Sequence, residues 1–312
     1  MHKIVWEVLS PIHIGYRKYG NLMQTHPYIT ASALLGALNS ILIRNENCNK
    51  DPRVMGVALN TVLRATYLYV LKEDGKVWFP WENEDEYLLR FIGSYVGTAL
   101  NSGAKSAEEG SLRETEFISP RDRLTGKRVY FVGYLFTLKN NLNDTELETL
   151  VKEILSESPY DSEVPLNDVK ECAEHLIDKL NSSDNCKPIL SLLNQDLYVG
   201  GERNYGWGRI KCHIKEIQAV EKLFGRYEVD LSNIKGPIVI LKKDDRLPAH
   251  TLSGDGIEGI ARPLVRWATY GKKSPLEFNG IVYEPGSLVK KNDSFLIRAL
   301  GILRTAKNYS AA

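Results

Sequence analysis

Cysteine is scarce and scattered in this 312-residue chain: Cys48, Cys172, Cys186 and Cys212 form no Cys-x-x-Cys pair and join no histidine cluster. Neither a structural zinc site nor a disulfide framework is expected, and no metal or other cofactor is called for. Net charge is nearly absent too, at +1 from 40 basic and 39 acidic residues. That balance excludes wholesale attraction to polyanions and leaves only local patches as nucleic-acid surfaces. No run approaches the roughly 18 apolar residues of a membrane span, and "MHKIVWEVLSPIHIG" lacks a charged opening followed by a long apolar stretch. A cytoplasmic protein without membrane contact is expected. Two phosphate-binding signatures are also missing. The glycines at 200–208 are not followed in register by Lys-Ser or Lys-Thr, as a Walker A loop requires, and they precede a β-like segment rather than a helix, which excludes a dinucleotide fingerprint.

What is present is an ordinary globular composition, 43% hydrophobic and 25% charged, long enough for two medium domains or one elaborated one. Charge is distributed by segment: "GYRK" (15–18) and "RDRLTGKR" (121–128) are basic, and 141–185 is acidic. "KIVWEVLSPIHIG" reads as a strand entering a polar, basic loop at 15–28. "TASALLGALNSILIRN" (30–45) has Thr30 as N-cap and apolar residues at 34, 35, 38, 41 and 42, the spacing of an amphipathic helix. A further helix passes into a hairpin whose turn is Asp74-Gly75. The run 127–139 is the clearest strand, and 144–158, capped by Asp144, the clearest surface helix. "PLNDVKECAEHLIDKL" and "KPILSLLNQDL" read as two more helices that lead into the glycine stretch, and "RIKCHIKEI" closes the unit as a strand. The order is that of an α+β fold, a ferredoxin-like or RRM-like sheet with helical insertions over 1–217. Short strand signals from 218 to 312 indicate a second, smaller β-rich domain, with a degenerate RRM-like copy of the first as its alternative reading.

The stretch "VGGERNYGWGRIKCHI" (199–214) carries the chemistry. Glycines remove side chains where backbone N–H groups can approach phosphate; guanidinium groups supply charge and rings supply stacking surfaces, the combination that single-stranded nucleic acid requires. The same pattern equally describes a turn packed over a sheet with its arginines in water. On the nucleic-acid reading, Gly200, Gly201, Gly206 and Gly208 bring backbone close to the strand, while Arg203, Asn204, Arg209 and Lys211 meet phosphates or base edges. Tyr205 and Trp207 stack on bases. Arg121, Arg123, Lys127 and Arg128 form a second patch and Tyr16, Arg17 and Lys18 a third; Arg262, Arg266 and Trp267 meet either RNA or a neighbouring subunit.

"GGERNYGWGRIK" (200–211) resembles the glycine-rich loop of the RAMP superfamily of CRISPR-associated proteins. "LSPIHIGYRKYGNLMQTHPYITASALLGAL" (9–38) is similar to the opening of RAMP subunits of type III effector complexes, with Thr30-Ala31 in place of the usual Pro-Gly before the first helix. "RLTGKRVYFVGYLF" (123–136) is similar to the family's strand that ends in Leu-Phe. "RPLVRWATYGKKSPLEFNGIVYEPGSLV" (262–289) resembles the C-terminal region of the type III-D subunit that closes the 5′ end of the complex. The resemblance implies an RRM-like fold and a subunit that grips the 5′ tag of CRISPR RNA. Its implied partners are that RNA, the backbone RAMP subunits that it caps, and the large polymerase-like subunit.

Metal-free RNA cleavage requires a general base near the attacking 2′-hydroxyl, usually histidine, with a charged partner. The resemblance implies such a histidine near the first helix, which makes His26 the first candidate and His13 the second, with no partner identifiable for either. Asp122 would stand for the loop aspartate of target-cleaving backbone subunits, but beside Arg121 and Arg123 it reads more simply as an ion-pair partner. The expectation is a binder without catalysis. A RAMP-fold ribonuclease and a scaffold that touches no RNA are the alternatives.

Overall fold

The computed structural model describes residues 1–45, 51–101, 103, 106–137, 142–157, 164–181, 193–213, 222–252, 255–267 and 276–306. The fold is mixed α/β, with five α-helices and several sheets among these residues. Its centre is the strand Tyr130–Thr137, whose sequence YFVGYLFT is buried at its six inner positions. A strand apolar on both faces belongs inside a layered structure. It pairs antiparallel with His2–Val8 on one side and with Leu63–Ala65 and Tyr69–Leu71 on the other. His2–Val8 in turn pairs antiparallel with Arg209–Cys212, which pairs with Leu197–Tyr198. Ile4, Trp6 and Val8 are buried, and Trp6 stands opposite Phe131.

The helix Ala31–Asn45 begins where its spacing predicts, with the Thr30 hydroxyl accepting from the Ala33 N–H, and it buries Leu34, Leu35, Leu38, Ile41 and Leu42. Asp51 caps Pro52–Val62 by accepting from Arg53 N–H at 2.8 Å. The helix Asp144–Glu157 is capped one residue earlier than expected. Asn143 accepts from Glu146 N–H and Glu146 returns a bond to Asn143 N–H, both at 2.9 Å, so a reciprocal box displaces Asp144 from the role. Leu166–Asn181 packs with Pro52–Val62. Cys172 on that helix is disulfide-bonded, which corrects the expectation of unbridged cysteines. The helix expected over 187–197 falls largely outside the described residues. No described helix is long and apolar enough to cross a membrane.

Of the described strands from residue 222 onward, eight make a sheet of their own, and Ile257–Glu258 pairs separately with Leu288–Val289. The buried core nevertheless runs without a break from Ile4 to Leu303. Phe224 N–H donates to the Tyr134 hydroxyl (2.9 Å) with the rings 5.1 Å apart, and the Tyr69 hydroxyl donates to Pro248 O (2.7 Å). Arg64, 3% exposed, donates to Lys235 O at 3.2 Å. Glu153 lies 3.6 Å from Lys235 and 3.3 Å from Arg298.

The segment 15–28 is not the loop its polarity suggests. Gly15–Tyr19 and Leu22–Thr25 form a bulged hairpin, and Arg113–Ile118 joins Leu22–Thr25 in parallel and Ile92–Gly97 antiparallel, giving a separate four-stranded sheet.

Candidate nucleic-acid interface

Residues 199–208 are drawn tightly against the protein's own backbone. Gly201 N–H donates to His13 O (2.9 Å), Gly208 N–H to Pro11 O (2.7 Å) and Val199 N–H to Gly208 O (2.9 Å). Gly200 and Gly208 have φ of +77° and +88°, and a Cβ on either would sit 2.2 Å from a carbonyl oxygen, His13 O in the first case and Val199 O in the second. These glycines are therefore fixed by close approach within the chain. Tyr205 and Gly206 amides donate to Glu202 O and Arg203 O inside a short 3₁₀ turn, and Arg209 N–H donates to the Ser10 hydroxyl. The sequence reading expected free amides at 200–208. The amides of 201, 205, 206 and 208 are instead used internally, so the loop presents side chains.

What it presents is Arg203, Asn204 and Tyr205, all exposed, with Tyr205 60% accessible. The Tyr205 hydroxyl accepts from Arg113 (2.6 Å), whose guanidinium also lies 5.2 Å from the ring centroid and 3.6 Å from Glu202. Arg203 folds Nε onto Gly200 O (3.1 Å). Desolvation and then the charge of Arg44 pull it below the usual guanidinium range. Trp207 is turned inward, edge-on to Phe117 (5.2 Å) and Tyr95 (6.1 Å) of the four-stranded sheet. It anchors the loop, and it does not stand out as a free stacking platform. Arg209 is held by Asp196 (Nε 2.8 Å), and Lys211 is exposed in register with Glu7.

The structure commits most of the second expected patch to internal contacts. Arg121 donates to Gly126 O and Arg123 to Leu89 O and Ile92 O; Lys127 pairs with Glu73 at 2.7 Å and Arg128 with Glu7. Asp122 is 5% exposed, accepts from the Leu124 and Thr125 amides and binds Arg90, so its ion-pair partner is Arg90 in place of the expected Arg121 or Arg123. Its electron pairs are engaged in holding the turn.

Tyr16, His26 and Arg262, distant in sequence, meet. Arg262 lies 4.3 Å over the Tyr16 ring, donates to its hydroxyl and pairs with Glu284 at 2.5 Å. His26 is enclosed by Tyr16 (4.7 Å), Tyr28 (5.0 Å) and His250 (5.6 Å), and His250 shares a 2.7 Å hydrogen bond with the Tyr67 hydroxyl. Burial first, then the Arg262 charge, hold His250 down to about 3; burial, His250 and Arg262 hold His26 well below 6.5. His13 is buried as well and donates from Nδ1 to Glu116 O (2.7 Å). Arg17 and Lys18 remain exposed, Arg17 on Gln24 (2.6 Å). Arg266 and Trp267 lie in the strand Ala261–Trp267, with side chains outside the described residues. No described group of three or more His, Cys, Asp or Glu is arranged to hold a metal.

Two imidazoles held neutral, His250 buried and His26 half-buried among rings, give a signed expectation. The unfolded chain protonates both near pH 6.5 while the folded chain does not, so their share of stability is complete above that value and drains away as pH falls below it. His250 should add a slope of about 1.4 kcal/mol per pH unit between pH 6 and 5, and His26 a slope of the same sign. Denaturant titrations at the two pH values check this, and a His26→Gln/His250→Gln double variant with an undiminished slope would refute it.

Arg113, Arg44 and Tyr95 entered the site without any sequence signal, since the loop that gathers them does so only in three dimensions. No family model and no curated protein matches the chain. Among solved structures it is similar to a chain of the type III-B Cmr-beta complex bound to cognate target RNA and AMPPnP, state 1, at 12% identity over 92% of this chain and 86% of that one, with TM-score 0.45. It is also similar to one in the complex bound to cognate target RNA (13%, 92% and 86%, TM-score 0.44) and one in the apo state (11%, 70% and 98%, TM-score 0.36).

Proposed function

We propose that the chain is a non-catalytic CRISPR RNA-binding subunit of a type III antiviral effector ribonucleoprotein, gripping the 5′ tag and capping the backbone filament beside the large subunit. The observation that carries the reading is the pinned loop 199–208, which holds Arg203, Asn204 and Tyr205 outward over Arg113. Rigid presentation lowers the ordering cost of gripping a flexible strand. The antiparallel strand order 209–212, 2–8, 130–137, 63–71, with helices between the paired strands in sequence, fits an elaborated ferredoxin-like sheet. The motif resemblances at 9–38, 123–136, 200–211 and 262–289 select the CRISPR context. The occupied states of His13, His26 and Asp122 favour binding over cleavage.

In titrations with CRISPR repeat-derived RNA, Arg203→Ala should weaken binding and reduce the log–log salt slope by about 0.7, the share of one phosphate contact on a single strand. Tyr205→Ala should cost about 1–3 kcal/mol, the worth of one base stack. A wild-type slope in Arg203→Ala would place that side chain away from RNA and defeat the reading. A discrete cleavage product from the purified chain would defeat its non-catalytic part.

A further inference from the structure

The glycine loop rests on a sheet whose two faces are charged differently. Along Arg113–Ile118, alternation sends Arg113, Thr115 and Phe117 to one side and Glu114 and Glu116 to the other. The register extends the separation across the sheet. Thr115 stands opposite Tyr95 and beside Met23, and Met23 opposite Lys18, so one face collects Lys18, Arg113, Tyr95 and Phe117. Trp207 touches Tyr95 and Phe117, which identifies this face as the one under the loop. Its four strands contribute two cations and no acid to it. Glu202 reaches it from the loop.

Two glycines shape the surface. Gly93 faces Phe117, and a Cβ there would lie 2.7 Å from the ring, so the ring lies over bare backbone. Gly97 faces Arg113, and a Cβ there would lie 3.2 Å from the Tyr95 ring and 3.9 Å from Arg113 Nε. Arg113 and Tyr95 thus lean together across a gap in the strand. Tyr95 keeps 52% of its surface open.

We infer that this face continues the path of the single-stranded RNA: bases leaving Tyr205 stack on Tyr95, and their phosphates follow Arg113 toward Lys18. The inference rests on the function proposed above. Charge selects the occupant, because Lys18 and Arg113 outnumber the one acid that reaches this face, Glu202, and an excess of cation beside an open ring suits a polyanion with stacking bases, whereas the opposite face sets Glu114 and Glu116 against Arg17.

The test measures binding of oligouridylates of about 4 and about 16 nucleotides, the span of site sizes for such surfaces, to the full chain. Tyr95→Ala should weaken the long oligomer about 5- to 150-fold, the loss of one stacked base, and leave the short one unchanged. Tyr95→Phe should restore wild-type affinity, and Lys18→Gln should lower the salt slope by about 0.7 for the long oligomer alone. Tyr205→Ala should weaken both lengths. If Tyr205→Ala weakens binding while Tyr95→Ala binds the long oligomer as wild type does, the sheet face is a protein surface and this inference fails by itself. If the wild type binds neither length, the proposed function fails and takes the inference with it.

Discussion

Gly208→Ala should abolish RNA binding and lower folding stability by about 3 kcal/mol or more, while Gly206→Ala, two residues away, should cost about 1 kcal/mol and leave affinity nearly unchanged. Both glycines have positive φ, 88° and 76°, so each alanine incurs the left-handed penalty of about 1–2 kcal/mol. The surroundings separate them. A Cβ at 206 meets nothing within 4 Å, whereas at 208 it lies 2.2 Å from Val199 O and 3.2 Å from Val199 N. That overlap is with main chain, which cannot swing aside, and relieving it adds about 1–3 kcal/mol of strain or pulls 199–208 off Pro11 and His13. Denaturant unfolding and RNA titration on the two variants decide the matter. Were Gly206→Ala to lose binding as severely as Gly208→Ala, the backbone itself would be in contact with RNA, and the view of a pinned loop acting through side chains would be wrong.

Glu153→Gln should destabilise the protein by about 3–5 kcal/mol, the range for removing one partner of a buried ion pair. Arg298 is 6% and Arg64 3% exposed, and Glu153 approaches Arg298 at 3.3 Å and Lys235 at 3.6 Å. Burial and the Arg298 charge hold Arg64 at about 10, with Glu153 acting in the opposite direction. Without the carboxylate, the enclosed guanidinium groups of Arg64, on the strand Leu63–Ala65, and Arg298, just after the strand Asp293–Ile297, repel each other without its opposing charge. Added salt should rescue little, because screening acts weakly on buried charges. The double variant Glu153→Gln/Arg298→Gln should recover part of the loss. A single variant as stable as wild type at both low and high salt would show that Glu153 carries no such duty.

Legibility in the sequence followed the strength of local patterning. The helix 31–45, the turn at Asp74-Gly75 and the apolar strand around Tyr130–Thr137 were readable because a 3.6-residue stripe, a hairpin dipeptide and a fully buried strand each leave an unmistakable trace. The four-stranded sheet was not. "GYRKY" and "RETEFI" mix charged with polar and aromatic residues and show no apolar stripe; among the described residues the first pairs only with Leu22–Thr25, and what builds that hairpin into a sheet is "RETEFI", about 90 positions further on. The glycines of 200–208 were legible as a site of close approach, but sequence cannot say what approaches, and here it is Pro11–His13. His26 and Arg262 were each visible as reactive types; their common enclosure with Tyr16 was not, because no local spacing relates residues 26 and 262.

The seam between the two parts has a consequence for divergence. Tyr69, Tyr134 and Arg64 all end on main-chain atoms of the C-terminal third: Pro248 O, Phe224 N–H and Lys235 O. Peptide groups are common to every residue type, and only proline at 224 would delete one of these partners. Relatives can therefore rewrite the C-terminal third extensively at the level of identity while the two parts stay joined along the same line, so erosion of sequence similarity there is a poor guide to whether the joint has been kept.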